Sequence, residues 1–193
     1  MTHECEVLRE SNEIKGALSG FRQILVTGPQ RSGTHIVSKM LANDFGLQYV
    51  DESRVNAGRW AGMRMALSNP RVSVQCPAFS SEIHHVKSAP SRCVVWVYRN
   101  RQEVLDSQDR IGWTRRIEPL EIDSYRRVWG QGALGFDRCY DIKHHVWESR
   151  QIPRMNVPVF GIAYGGGYVQ EHEMYVPKVL RGNFRHDQTA VNQ

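Results

Sequence analysis

The stretch from Gln23 to Gly46 constrains the chain most, because it reads as a strand, a glycine loop and a helix in immediate succession. Gln23-Ile24-Leu25-Val26-Thr27 is rich in β-formers and is stopped by Gly28-Pro29, which cannot continue a ladder. From Thr34 the apolar residues Ile36, Val37, Met40 and Leu41 recur at helical spacing, and Gly46 supplies the stop. The pattern then repeats, with residues 47–50 as a second strand, about 54 to 67 as a helix and 71–75 as a third strand. Residues 93–98, nearly continuous in β-formers, predict a central strand buried on both faces. Asn100 predicts a helix cap with Glu103 in capping-box register. Residues about 121 to 150 read mainly as helix, interrupted by Gly130, Gly132 and Gly135. Residues 157–163 form a last strand, followed by a turn at Gly165-Gly166-Gly167. Strands alternating with helices predict an α/β fold of three layers, a parallel sheet with helices on both faces.

With 193 residues the chain is expected to form a single domain, 1–193, with a polar leader at 1–20 and a flexible or ligand-covering tail at 176–193. Hydrophobic residues at 40% and charged residues at 23% are ordinary globular usage and exclude a disordered chain. The first twenty residues mix charges throughout and the chain has no long apolar run, so a cytoplasmic protein without a membrane span is expected. Cys5, Cys76, Cys93 and Cys139 lack metal-knuckle or disulfide-framework spacing and read as reduced, mostly buried thiols. The 25 basic residues comprise 20 arginines and 5 lysines. Arginine's planar fork suits phosphate or sulfate, although biased codon usage gives the same excess.

Ligands of open parallel sheets bind beyond the carboxyl ends of the strands, where helix N-termini present unpaired N–H groups. The loop Gly28-Pro29-Gln30-Arg31-Ser32-Gly33-Thr34 holds that place after the first strand. Its glycines let the backbone wrap an anion, and Arg31 adds a full positive charge. The G-x-x-x-x-G spacing begins like a Walker A loop, but Thr34-His35 stand where that motif has Lys and Ser or Thr. Nucleoside-triphosphate hydrolysis thereby loses two of its usual supports.

Pro29-x-Arg31-Ser32-Gly33-Thr34 resembles instead the 5′-phosphosulfate loop of sulfotransferases that use 3′-phosphoadenosine 5′-phosphosulfate. A second segment is similar to that family's 3′-phosphate motif, R-N-P-x-D-x-x-x-S. Here Arg99, Asn100 and Ser107 are in register, with Arg101 in place of the proline and Glu103 in place of the aspartate. Arg99 leaves the end of the central strand and Ser107 lies about two helical turns further on, so both can reach one phosphate. The resemblance implies a P-loop-type fold and sulfuryl transfer to a hydroxyl or amine of a small-molecule or glycan acceptor. The donor product is adenosine 3′,5′-bisphosphate, and no metal is required. It further implies that Pro29, Gln30, Arg31, Ser32, Gly33, Thr34 and His35 line the donor site. Arg181 and Arg185, in a basic stretch similar to the family's nucleotide-covering loop, are implied to add phosphate contacts.

Sulfuryl transfer needs a base for the acceptor and cationic charge on the bridging oxygen, the second being a role for Arg31. The segment Val74-Gln75-Cys76-Pro77, where the family often has a His or Lys, offers no base. Asp51 and Glu52 follow the second strand and face the same crevice; Glu52 is the first choice, and the pair serves equally well as a helix cap. His35 is second. The pairs His84-His85 and His144-His145 diverge on a helix and give no metal set. A P-loop small-molecule kinase and a catalytically inactive nucleotide-binding protein of the same fold remain open. No specific nucleic-acid partner is expected, since the arginines are dispersed and no recognised module is present.

Overall fold

The computed structural model describes residues 2–55, 60–81, 83–111, 151–153 and 155–175. In chain order these form β1 (Thr2–Glu4), β2 (Val7–Leu8), α1 (Ser11–Leu18), β3 (Gln23–Thr27), α2 (Thr34–Asp44) and β4 (Gln48–Val50). There follow α3 (Trp60–Ala66), β5 (Val72–Gln75), β6 (Arg92–Tyr98), α4 (Arg101–Asp109), β7 (Gln151–Pro153), β8 (Val159–Ala163) and α5 (Gly167–Tyr175). Short 3-10 turns at Glu52–Val55, Pro77–Ser81 and Ile83–His85 link them.

Six strands make one sheet in the order β2-β8-β6-β3-β5-β4, and every neighbouring pair is parallel. β1 and β7 pair antiparallel in a separate ribbon. Alternation along the strands builds a core on each face. Leu25, Val72, Val74, Val94 and Trp96 pack with Met63 of α3 and with Phe79 and Ile83 of the 3-10 turns. Ile24, Val26, Cys93, Val95 and Val97 pack with Ile14 and Leu18 of α1, Val37 and Leu41 of α2 and Tyr168 of α5. The result is the expected three-layer α/β arrangement, with β6 central beside β3 and wholly buried from Cys93 to Val97.

β3 sends the chain toward β4 at one edge, whereas β6 leads on to β8 on the other side. The connections diverge between β3 and β6, so a crevice opens at their carboxyl ends. The loops after Thr27 and Tyr98 face each other across it.

The polar leader supplies structure that its composition conceals: β2 joins the sheet through β8, and Leu8, Ile14 and Leu18 are buried. Of the helix expected over about 54 to 67, the described residues show the end of a 3-10 turn, Glu52–Val55, and α3; residues 56–59 lie outside the described residues. Gly167, read as part of a turn, opens α5. Cys5, Cys76 and Cys93 are buried, as expected; Cys139, His144, His145 and the helix expected over about 121 to 150 lie outside the described residues. Among the described residues no helix is long and apolar enough to cross a membrane.

Asp44 ties one helical layer together. Its carboxylate accepts hydrogen bonds from His172 Nε2 at 3.0 Å and Tyr168 Oη at 3.1 Å, with Lys15 Nζ 3.7 Å away. Burial pushes the Asp44 pKa up, but His172, Lys15 and Tyr168 outweigh it and hold the carboxyl below its ordinary value. A depressed folded pKa gives stability that is complete above the unfolded value of about 4 and is lost as pH falls through the folded one. Asp44→Asn should therefore cost roughly 1 to 3 kcal/mol at neutral pH. Urea midpoints of the two chains should converge in acid; a difference that persists unchanged to pH 3 would contradict this assignment.

Candidate functional site

The 28–34 loop is shaped by close approach. Gly28 has φ +143°, and a Cβ there would stand 2.7 Å from the Val97 carbonyl of the neighbouring strand. Gly33, the N-cap of α2, has φ +100°, and its missing Cβ is where the Tyr164 ring lies. Between them Arg31 takes a left-handed φ of +70°, which a non-glycine residue adopts only when its surroundings hold it.

Arg99 and α4 do the holding. Arg31 Nε donates to Ser107 Oγ at 3.2 Å, Arg99 Nη1 to the Arg31 carbonyl at 3.4 Å, and Gln108 Nε2 to the Gln30 carbonyl at 3.4 Å. Because a trans peptide points C=O and N–H oppositely, a Gln30 carbonyl turned to α4 directs the Arg31 amide away from it. The Ser32 amide closes a turn onto the Pro29 carbonyl at 3.1 Å. The first amides of α2 precede its first helical bond, from Val37 N–H to Gly33 C=O, and supply the positive end of the helix dipole. The Ser32 hydroxyl is buried without a hydrogen-bond partner among the described residues. An unmatched buried hydroxyl in a cradle closed to any Cβ, beside two guanidinium groups, suits an anionic oxygen.

Arg99 is held on three sides. It donates to Glu103 Oε2 at 2.8 Å, its guanidinium lies 4.7 Å from the Tyr164 ring centre, and its third contact is the Arg31 carbonyl. Asn100 caps α4 as expected, accepting from the amides of Gln102 and Glu103. The reciprocal half of the capping box is absent because the Glu103 carboxylate goes to Arg99. The structure thus brings Arg31, Arg99 and Ser107 together at the loop.

The other candidates gather on the β4 side. Gln75, buried at the end of β5, donates to Thr34 Oγ1 at 3.2 Å and accepts from the Glu52 amide at 3.4 Å. It connects the start of α2 to the turn carrying Glu52, which is half-buried. His35 lies on the first turn of α2 and faces β4, with Nδ1 at 2.8 Å from Tyr49 Oη and 3.4 Å from Asp51 Oδ2. Arg181 and Arg185 lie outside the described residues.

Sequence reasoning missed Tyr164 and Gln108, and read Gln75 only as offering no base, without its bridging place. Tyr164 and Gln75 were open to the rule that singled out the loop and Arg99, since Tyr164 directly follows β8 and Gln75 ends β5. Gln108 had a weaker signal, being next to Ser107 on α4.

No protein-family model matches the chain, and no curated protein matches it significantly in sequence.

Proposed function

We propose that the chain is a P-loop-type sulfotransferase that takes a sulfuryl group from 3′-phosphoadenosine 5′-phosphosulfate. The observation that carries the reading is the junction of Arg31, Arg99 and Ser107 at the 28–34 loop, through bonds of 3.2 and 3.4 Å. A nucleotide with phosphates at both ends of its ribose needs two anion sites, and this junction supports two. In this reading the loop amides, the Ser32 hydroxyl and Arg31 hold the 5′ end. Arg99 and Ser107 hold the 3′-phosphate. Arg31 also meets the negative charge that grows on the bridging oxygen, a form of electrostatic stabilisation that needs no metal. When bound, the donor supplies an activated sulfuryl group; the protein orients it and takes a proton from the acceptor. Glu52 and His35 both stand on the β4 side of the loop as candidates for that base.

Calorimetry with adenosine 3′,5′-bisphosphate tests the reading. Wild-type chain should bind it, and Glu103→Gln should bind about two- to fivefold more tightly, because the exposed carboxylate competes with the 3′-phosphate for Arg99. Adenosine 5′-monophosphate, which lacks that phosphate, should gain nothing from the substitution. Absence of bisphosphate binding by the wild-type chain would sink the proposal. Magnesium-dependent binding of ATP in its place would favour the kinase.

A further inference from the structure

The hydrogen bonds around His35 settle which of its nitrogens carries the proton. Tyr49 has one phenolic proton and gives it to Asp51 Oδ2 at 2.8 Å. Burial, and then the bond to Asp51, raise the Tyr49 pKa far above the ordinary phenol value, so that proton stays in place. Burial also pushes the Asp51 pKa up, but the Ser53 amide at 3.0 Å, Tyr49 and His35 outweigh it and keep the carboxyl ionised. The Tyr49 oxygen, with its proton committed, can only accept from its second neighbour, His35 Nδ1 at 2.8 Å. Asp51 Oδ2, also acceptor-only, lies 3.4 Å from the same nitrogen. Two acceptors on Nδ1 require Nδ1–H, and in the neutral ring the lone pair then falls on Nε2.

We propose that Tyr49 and Asp51 are positioning residues that fix His35 in the Nδ1–H tautomer and make Nε2 the base for the acceptor. The inference rests on the sulfotransferase reading and decides between that reading's two base candidates. His35 is the second residue of α2, directly after the anion loop, and its side chain is 39% exposed, so an acceptor bound on the β4 side can meet it. His35 Nε2 takes the acceptor's hydroxyl proton as the acceptor oxygen bonds to sulfur. The bridging S–O bond breaks, and its electron pair leaves on the 5′-phosphate. The resulting imidazolium is stabilised by Asp51, directly and through Tyr49, an arrangement in which the carboxylate remains ionised. Charged groups among the described residues that also bear on this cluster include Lys39, whose Nζ lies 5.4 Å from the Tyr49 ring centre, and Glu52.

Two measurements on the full chain test this. In 15N-histidine protein, with the His35 signals assigned by their loss in His35→Gln, long-range 1H–15N correlation reads the tautomer directly. The neutral ring should show protonated Nδ1 and bare Nε2, and Tyr49→Phe with Asp51→Asn should redistribute the proton. An Nε2–H form in the wild type, or a tautomer indifferent to both substitutions, would overturn the assignment.

The second is sulfate release from 3′-phosphoadenosine 5′-phosphosulfate with water as acceptor, followed against pH. His35→Gln should slow it roughly 100-fold or more. Asp51→Asn removes the anion that favours imidazolium, so the acid limb should move to lower pH. Release that depends on Glu52 and survives His35→Gln, or donor binding with no release at all, would overturn the base role. Failure of the wider reading is distinguishable, since it appears as absent bisphosphate binding while the tautomer result stands.

Discussion

Replacing Gly33 by valine should lower the unfolding midpoint by on the order of 10 °C and abolish bisphosphate binding. Two independent costs add. Valine must adopt φ +100°, a conformation that costs about 1 to 3 kcal/mol and is worse for a β-branched residue. Its Cβ must also displace the Tyr164 ring, which packs where that atom would go, and overpacking costs another 1 to 3 kcal/mol or so. The total of about 2 to 6 kcal/mol is a large part of a typical domain's stability. Tyr164→Ala separates the two. In the Gly33→Ala background it should relieve the steric part and leave the backbone strain, which a double-mutant cycle in urea would detect. A Gly33→Val chain as stable as wild type would mean that the loop does not adopt this conformation in solution.

Removing both guanidinium groups, Arg31→Ala with Arg99→Ala, should weaken bisphosphate binding roughly 10²- to 10⁴-fold, at about 1.5 to 3 kcal/mol for each charge-assisted contact. The single changes should not add. Arg99 holds the Arg31 carbonyl, so Arg99→Ala also loosens the loop that carries Arg31, and the second loss is smaller than the first. Calorimetry of the four chains gives the coupling directly. Strict additivity would show that the two arginines act as separate cations, and a double variant binding within about threefold of wild type would remove both from the site.

Much of this arrangement was legible in the sequence for a simple reason. Residues that end adjacent parallel strands must share one edge of the sheet, so Thr27 and Tyr98 brought the 28–34 loop and Arg99 together once β3 and β6 were recognised. Ser107 followed from helical periodicity. The allegiance of Glu103 was not legible, because an i, i+3 cap and an i, i+4 ion pair are both local and the choice depends on where Arg99 is held. Tyr164 was marked by its place directly after β8, but its meeting with Arg99 and Gly33 depends on β8 lying beside β6, a pairing between distant segments that no local pattern reports. The cluster at His35 requires α2 to run past β4, which brings residue 35 against residue 49. β2 escaped notice because two residues carry no periodicity; only its partner β8 makes it a strand.

That pairing also orders events in time. Val7 meets Gly161 and Leu8 meets Ile162, so a chain emerging from the ribosome holds its first sheet strand idle until β8 is made. The strands that frame the crevice, β3, β5 and β6, are complete by Tyr98, well before that point. A nascent chain therefore carries the glycine loop and Arg99 before Tyr164 exists to cover Gly33 and flank the guanidinium. Ribosome-bound chains ending before β8 should consequently expose the loop to protease more than longer ones, which makes closure of the 28–34 loop among the last steps of folding.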